Sequence, residues 1–313
     1  MAPGPHNRRM LLAAWLLCAA ALCTRGALAE DLSGQIEAPG VIVRYAPGTQ
    51  RWAREAVSRF PQVNRNALET LGITTNRRVA IHLYATEKGF RQAANYTPVD
   101  TLGVTFASRN TIIIDCSKTG TRGPNSFAIT LRHEMIHIAF GRLMSRTGQH
   151  VPLWFNEGVA CVAMNRLQFG DPRQLVQVAG GNGLFTFAQL SNGFPTLSTE
   201  LELAYQQSES AIRFLMKAHG DDAVRRIVSL MISGSTFDES LVEVAGGTDF
   251  EARWRKYVAG RYSILAFIST YFSLFTILAL LVIASYVLYR IRRHRVRARW
   301  EQEDMEEDGF YGF

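Results

Sequence analysis

The chain has 313 residues, of which 47% are hydrophobic, so it is long enough for one sizeable domain or two small ones. Its net charge is +7, but much of the excess positive charge lies in the two terminal segments, and the residues between them are nearly neutral. The charge of this central part therefore gives no reason to expect a nucleic acid or another polyanion as a partner.

Residues 1–29 carry the pattern of a secretory signal peptide. Arg8 and Arg9 supply a positively charged start, and the apolar stretch that follows is too short to span a membrane comfortably. The sequence ALA at 27–29 has the small–x–small pattern that signal peptidase needs, which predicts cleavage after Ala29. An uncleaved N-terminal anchor is the alternative.

A second apolar stretch, residues 262–289, contains no charged residue. At about 1.5 Å per residue, a helix of this length crosses the roughly 30 Å of a hydrocarbon core with some tilt. Tyrosines stand at both of its ends, as is typical of the headgroup region. The arginine-rich run RIRRHRVRAR follows directly. Such a cluster marks the cytoplasmic side of a span, and this explains its charge without a nucleic-acid patch.

These two segments predict a single-pass protein of the cell membrane. Residues 1–29 would be the signal peptide and 30–260 an exported domain, followed by a transmembrane helix at 262–289 and a cytoplasmic tail at 290–313. The exported domain would lie outside the cytoplasm, which in a bacterium is the periplasm.

The exported domain shows strand patterns in its first half and helix patterns in its second half, which predicts an α+β fold. Alternating β-branched residues predict strands at 41–47 and 78–86, and the sequences LGVTFAS and TIIIDCS predict a hairpin. Apolar periodicity and glycine punctuation predict helices at 50–71, 87–95, 125–144, from 153 onward, 201–218, 221–233, 237–245 and 249–258.

Two of the four cysteines, Cys116 and Cys161, lie in this domain. In an oxidising compartment they would form one disulfide, and two buried free thiols are the alternative. With a single possible bridge, the chain is not a disulfide-framework protein.

The stretch LRHEMIHIAF, residues 131–140, lies in one of the predicted helices and carries two histidines and a glutamate. His133 and His137 are four residues apart and so share one face of the helix, where two imidazoles can bind one metal ion. Glu134 is offset by about 100° from His133, so it can reach a metal-bound water without displacing a ligand. The alternative is a helix whose histidines are hydrogen-bonded in the core, but burying these three side chains is costly unless they have partners.

A third ligand is needed, because catalytic zinc usually has three protein ligands and one water. Glu157, in the sequence PLWFNEGVACVAM, follows His137 by twenty residues, which fits the end of a helix, a loop and a returning helix. Trp154, Phe155 and Val159 make this an apolar helix start and a poor place for an unpaired carboxylate. A solvated surface glutamate is the alternative.

HEMIH followed by WFNEGVA resembles the gluzincin metallopeptidases, the clan of thermolysin and the aminopeptidases, and residues 40–258 resemble the compact peptidase MA-like proteins. The resemblance implies a zincin-like mixed sheet beside the motif helix and a helical C-terminal lobe. It implies one Zn²⁺ per chain, bound by His133, His137 and Glu157, with Glu134 as the general base. It also implies that a peptide substrate adds antiparallel to an edge strand, for which the TIIID strand is the candidate.

Two features depart from the pattern of these families. Thermolysin-like enzymes place an aspartate one turn after the glutamate ligand to orient a histidine, whereas this chain has Cys161 there, so the orienting groups must come from elsewhere. Gluzincins usually have a Tyr or His that stabilises the oxyanion; Tyr205 is the candidate, with His150 and His219 as weaker ones. A packed, locally hydrogen-bonded Tyr205 is the alternative.

No amine-binding motif like that of the aminopeptidases is present in the sequence, which favours an endopeptidase.

Together these features predict a membrane-anchored zinc metallopeptidase that hydrolyses peptides or proteins and has no nucleic-acid partner. The first alternative is a catalytically weak or inactive scaffold protein with the same fold. Glu134 argues against it, since a non-catalytic zinc site has no need of that residue. The second alternative is a zinc-free assembly protein in which the histidines merely pack.

Overall fold

The structure is a computed structural model, and it describes residues 30–95, 101–119, 126–164, 173–178 and 183–310. The predicted signal peptide lies outside these residues. The chain divides into two compact units, of which the first comprises Met1–Asp171 with Phe185–Phe250, and the second Pro172–Leu184 with Glu251–Phe313. All of the residues considered below for the candidate site belong to the first unit.

The first unit contains a five-stranded mixed sheet. Its strands, in chain order, are β1 Gly34–Ala38, β2 Val41–Tyr45, β3 Val79–Tyr84, β4 Gly103–Phe106 and β5 Thr111–Asp115. The order across the sheet is β1-β2-β3-β5-β4, in which β2, β3 and β5 run parallel and β1 and β4 pair antiparallel with their neighbours. The predicted α+β class and the β4–β5 hairpin are confirmed, whereas β1 was not predicted.

The TIIID strand, β5, is not an edge strand. Its Ile113 pairs with His82 of β3 on one side and with Val104 of β4 on the other. The prediction that a substrate adds to this strand is therefore wrong. The strand is buried from Ile112 to Asp115, as is typical of an interior strand. Among the strands that the structure describes, β4 forms the edge on this side of the sheet.

The helices lie close to their predicted positions. In chain order, those described are α1 Gln50–Leu71, α2 Glu87–Ala94, α3 Cys116–Thr119, α4 Ser126–Thr147, α5 Leu153–Ala163, α6 Arg173–Val178, α7 Ser198–His219, α8 Ala223–Ile232, α9 Phe237–Ala245 and α10 Phe250–Phe310. The short helices α3 and α6 were not predicted. The helix predicted at 249–258 does not end there, because it is the start of the much longer α10.

Helix α4, which carries the histidines, lies in the centre of the first unit. It packs against α1, where the rings of Trp52 and Phe127 stack with centroids 5.0 Å apart, and it also contacts β4 and α5. Most of its side chains are buried, which explains why its sequence is apolar around nearly the whole helix rather than along one stripe.

In the second unit, α10 continues as one helix to Phe310. Within the searched residues, its segment Phe275–Trp300 is long and apolar enough to cross a membrane, as judged by length and composition alone. Large apolar side chains on this segment are exposed, among them Leu278 and Leu281. Apolar exposure on this scale is unusual for a surface in contact with water and suits lipid.

Both cysteines of the predicted exported domain, Cys116 and Cys161, are buried and free. The structure therefore has the two-thiol arrangement and not the disulfide.

Candidate metal centre

Three predicted side chains meet at one point between α4 and α5. The Nε2 atoms of His133 and His137 lie 3.3 Å and 3.5 Å from the same oxygen, Oε2 of Glu157. The two imidazole centroids are 4.6 Å apart, and one ligand atom from each of the three residues lies within 4.8 Å of the others. The side chains are only 9%, 14% and 13% exposed, so the cluster is largely dry but not sealed from solvent.

The position of Glu157 is fixed by the packing of α5 on both sides of it. On the N-terminal side, Trp154 stacks on Phe187 with ring centroids 4.1 Å apart, and Phe155 meets Phe237 at 4.9 Å. These contacts hold the first turn of α5 in an aromatic core, and they bring the carboxylate towards α4 instead of towards water.

On the other side of Glu157, Gly158 lies directly against α7. A Cβ at this position would lie 2.7 Å from Cγ1 of Ile212 and closer still to the carbonyl oxygen of Ser208. No larger side chain fits without moving backbone, so the absence of a side chain at 158 allows the close approach of α5 and α7.

The cluster holds opposite charges that shift each other's pKa values. Burial lowers the pKa of His137, but the Glu157 carboxylate outweighs burial and raises the pKa to about 9. Burial raises the pKa of Glu157, but the charge of His137 and hydrogen bonds from both histidines outweigh it and hold the pKa well below its usual range. Without a metal ion, the cluster therefore carries a proton on His137 and a negative charge on Glu157 at neutral pH.

Asn156 orients His137. Its Oδ1 lies 2.8 Å from Nδ1 of His137, and because Oδ1 only accepts hydrogen bonds, Nδ1 must be the donor. When His137 is neutral, this leaves the lone pair of Nε2 directed at the Glu157 side of the cluster. A group other than Cys161 was predicted to orient the histidines, but Asn156 was not among the predicted residues, although it directly precedes the predicted ligand Glu157.

Glu134 lies next to the cluster and is held by the edge strand β4. Oε2 of Glu134 accepts a hydrogen bond of 2.7 Å from the hydroxyl of Thr105, which is also 3.1 Å from the Glu134 backbone oxygen. A Cβ at Gly103 would lie 2.8 Å from Oε1 of Glu134, so glycine is needed for β4 to approach this carboxylate. Neither Gly103 nor Thr105 was among the site residues predicted from the sequence.

Comparison with known families and structures adds to this geometry. The family model of the Peptidase MA superfamily matches residues 63–260, which is more than half of the chain. The chain belongs to the Peptidase MA superfamily. This confirms the predicted resemblance to gluzincin-like peptidases. No curated protein sequence matches the chain.

Two solved structures are similar to this Peptidase MA superfamily member at low identity. Yeast LTA4 hydrolase is 12% identical with a TM-score of 0.44, over 71% of this chain and 37% of that one. A mutant of a two-domain M1 zinc metallopeptidase, bound to L-tryptophan, is 17% identical with a TM-score of 0.38, over 73% of this chain and 51% of that one. The chain thus spans about half the length of these structures or less.

In this superfamily member, Tyr205 of α7 lies close enough to the cluster to interact electrostatically with Glu157. Burial, and after it mainly the negative charge of Glu157, raises the pKa of its hydroxyl well above the usual value. Its ring packs edge-on against Phe194 with centroids 5.0 Å apart. Tyr205 is therefore a neutral hydrogen-bond donor near the cluster, which suits the role of an oxyanion donor.

The other predicted candidates do not join the cluster. His150 is exposed, and neither His150 nor His219 belongs to the group of potential metal ligands found among the described residues. Cys161 is fully buried, and burial together with the charges of Glu157 and Glu209 raises the pKa of its thiol. A neutral thiol is a poor acceptor for a histidine N–H, so Cys161 does not replace the aspartate of thermolysin-like enzymes.

The three clustered side chains fit a divalent metal ion. When His137 is neutral, its Nδ1 donates to Asn156 and its Nε2 lone pair faces an anionic oxygen 3.5 Å away. Two acceptors at this distance repel each other, so either a proton on Nε2, as in the metal-free cluster, or a cation must lie between them. Two imidazole nitrogens and one carboxylate oxygen are a ligand set of catalytic zinc sites, in which a fourth position stays open.

Proposed function

We propose that the chain is a membrane-anchored zinc endopeptidase with a zincin-like catalytic domain at residues 30–260. His133, His137 and Glu157 would hold one Zn²⁺. The observation that carries the proposal is the meeting of these three ligands beside a fourth polar side chain, Glu134, that does not belong to the cluster. Membership of the Peptidase MA superfamily supports peptide hydrolysis as the reaction.

The roles of the chain's own residues follow from their positions. Bound Zn²⁺ supplies Lewis acidity, polarising a peptide carbonyl and lowering the pKa of a water molecule. Glu134 accepts a proton at its carboxylate from the attacking water molecule and passes it to the leaving amine. The Thr105 hydroxyl keeps that carboxylate in one orientation. Tyr205 donates a hydrogen bond to the oxygen that becomes negative during the reaction.

The substrate would bind as an extended peptide along the outer edge of β4. This strand is one of the two edge strands of the described sheet, all four of its residues are partly exposed, and it carries Gly103 and Thr105 next to Glu134. Backbone hydrogen bonds to such an edge are independent of the substrate sequence. No other described strand pairs with this edge. An edge strand of this kind, in a sequence without an amine-binding motif, accommodates a chain that continues in both directions, which supports internal cleavage.

The placement at the membrane is also a proposal. Residues 1–29 would be removed as a signal peptide, 262–289 would span the membrane, and the arginine-rich segment at 290–313 would lie in the cytoplasm. The long apolar segment of α10 supports a span. The catalytic domain would then act outside the cytoplasm.

The alternative is an inactive zincin-like protein that acts as a scaffold at the membrane. Such a protein would need the metal ligands for stability, but it would not need a carboxylate at Glu134 held by Thr105. The presence of this pair favours the enzyme.

The experiment combines metal analysis with cleavage of blocked peptides by the full-length protein in detergent. We expect about one zinc per chain, and cleavage of a library of N-acetylated, C-amidated peptides that stops with a chelator and returns with zinc. Zinc without cleavage would support the scaffold, and a chain without zinc would contradict both. Trimming of unblocked peptides alone would indicate an exopeptidase.

Replacing Asn156 with Ala is expected to weaken zinc binding by about 10–100-fold, since His137 loses the acceptor that fixes its ring and its tautomer. The affinity can be measured by competition with a chelator of known affinity. Asn156→Asp keeps an acceptor oxygen and is the matched control, with an affinity close to that of the wild type. Equal affinities of the Ala variant and the wild type would contradict the role of Asn156.

Replacing Thr105 with Val removes a hydroxyl from a side chain of nearly the same shape. The Glu134 carboxylate then loses a hydrogen bond to a charged group, a contribution of about 1.5–3 kcal/mol, so kcat should fall by roughly 10–100-fold. KM and zinc content should change little, because Thr105 is not a metal ligand. Thr105→Ser should restore most of kcat. A Val variant as active as the wild type would show that Thr105 does not contribute to catalysis.

A further inference from the structure

A pocket of about 220 Å³ lies away from the metal centre, between the segment that follows α1 and the last turns of α4. At roughly 30 Å³ for each water-sized group, it has room for a small molecular group. It is lined by Ile73, Thr74, Thr75, Arg77, Arg142, Leu143, Ser145 and Arg146. Its lining is therefore rich in guanidinium groups and hydroxyls.

Arg142 is the buried arginine of the pocket lining, with 7% of its surface exposed. Its Nε donates to Oδ1 of Asn110 at 3.2 Å, and its Nη2 donates to the backbone oxygen of Arg77 at 2.6 Å. Both acceptors are neutral. The guanidinium has five N–H donors, so these bonds leave donor capacity and do not balance its charge.

The three pocket arginines have no carboxylate partner within the described part of the chain. The adjacent Arg78 forms an ion pair of 2.7 Å with Glu37, but no ion pair joins an acid to Arg77, Arg142 or Arg146. Burial, and then the positive charge of Arg77, lower the pKa of Arg142, so these two arginines repel each other. A buried charge with no counter-charge is unfavourable and is therefore usually paired.

The end of α4 supplies only part of the missing negative charge. Its last carbonyl groups are equivalent to about half an elementary negative charge, which favours Arg146 in the last turn and opposes an anion. The three guanidiniums carry three positive charges. The balance in the pocket thus stays clearly positive.

We propose that this pocket binds a small oxyanion of the phosphate type. A guanidinium matches two oxygens of such a group at once, and three of them surround the pocket. The hydroxyl of Thr75 accepts a hydrogen bond of 3.1 Å from the backbone N–H of Arg77, so its own proton can be donated to the ligand. The phosphate group belongs either to a free anion or to a phospholipid headgroup. This site is separate from the proposed peptidase reaction.

The test measures binding of inorganic phosphate to the full-length protein in a neutral detergent, by calorimetry at constant ionic strength with chloride as the reference anion. Arg146 and Arg77 are exposed, so Arg146→Gln and Arg77→Gln should fold normally. Each should weaken phosphate binding by about tenfold or more. Arg142 is a less suitable position, because it also holds Asn110 and the Arg77 backbone in place.

Arg54→Gln is the matched control, because it removes one positive charge from an exposed position on α1 outside the pocket. Its phosphate affinity should stay within about twofold of the wild type. A wild type that does not bind phosphate, or equal losses in Arg54→Gln and Arg146→Gln, would overturn the proposal.

A second arm identifies the source of the phosphate group. Dioctanoyl phosphatidic acid in the same detergent should displace inorganic phosphate, and tighter binding of the lipid would identify a headgroup. If inorganic phosphate binds more tightly than the lipid, the ligand is a free anion. Either result supports phosphate binding in this pocket only if Arg146→Gln weakens the binding of the tighter ligand.

Discussion

Replacing Glu134 with Gln is expected to reduce peptide cleavage by about 10²–10⁴-fold while zinc stays bound. The amide has the shape of the carboxylate, and its oxygen can still accept the hydrogen bond from Thr105. It cannot take up a proton, so the variant loses only the general base. The measurement is kcat on a blocked peptide, together with the zinc content of the same preparation.

The comparison with the Thr105 variants makes this prediction specific. Glu134→Gln should be far less active than Thr105→Val, because the first removes the base and the second only loosens it. A Glu134→Gln variant that keeps most of its kcat would show that another group moves the proton. A variant that loses zinc as well would show that Glu134 supports the metal, which its position beside the three-residue cluster does not suggest.

Replacing Glu157 with Gln is expected to have the larger effect on the metal. The substitution removes the only carboxylate of the cluster and leaves two buried imidazoles without their anionic partner. Breaking a buried charge pair costs about 3–5 kcal/mol, which corresponds to a loss of zinc affinity of roughly 10²–10⁴-fold. Activity should fall in parallel at limiting zinc, and chelator competition measures the affinity directly.

The same substitution has a readout that does not depend on zinc. In the metal-free protein the Glu157 charge holds the pKa of His137 at about 9, against burial. Without that charge, burial is no longer outweighed and the pKa of His137 should fall, which an NMR titration of the imidazole can follow. Glu69→Gln, at an exposed position on α1, is the control and should change neither the zinc affinity nor this pKa. A Glu157→Gln variant that binds zinc as tightly as the wild type would show that Glu157 is not a zinc ligand.

The site residues that could be predicted from the sequence are mainly those whose positions relative to one another are set by the geometry of one helix. His133, Glu134 and His137 share one helix, so their spacing alone fixes their arrangement. Glu157 could be placed from its apolar surroundings and from an interval that allows the chain to return. The prediction of these four residues therefore required very little knowledge of the tertiary fold.

Asn156 and Thr105 could not be found in the same way. Thr105 is 29 residues from Glu134 and reaches it only because β4 packs along α4. Asn156 stood next to a predicted ligand, but neighbouring residues on a helix point in different directions. Nothing in the local pattern indicates which of these directions faces His137. Groups that orient ligands depend on distances between elements, which a pattern in one segment does not contain.

The errors in the sheet have a similar origin. β1 has only partly buried and exposed side chains, so its apolar signal is weak, and it was missed. Both strands of the predicted hairpin are present, but β4 and not the predicted β5 is the edge strand. The contrast between the continuous isoleucines of β5 and the mixed GVTF of β4 indicates which strand is buried on both faces.

The tight contact at Gly158 has a consequence for fragments of this protein. Every proposed zinc ligand lies before residue 164, yet the carboxylate of Glu157 is positioned by a helix that starts at Ser198. A shortened protein ending after α5 would contain the complete ligand set in its sequence, but it would lack the surface against which that carboxylate is set. Such a fragment should bind zinc poorly, and searches for minimal versions of this enzyme should keep α7.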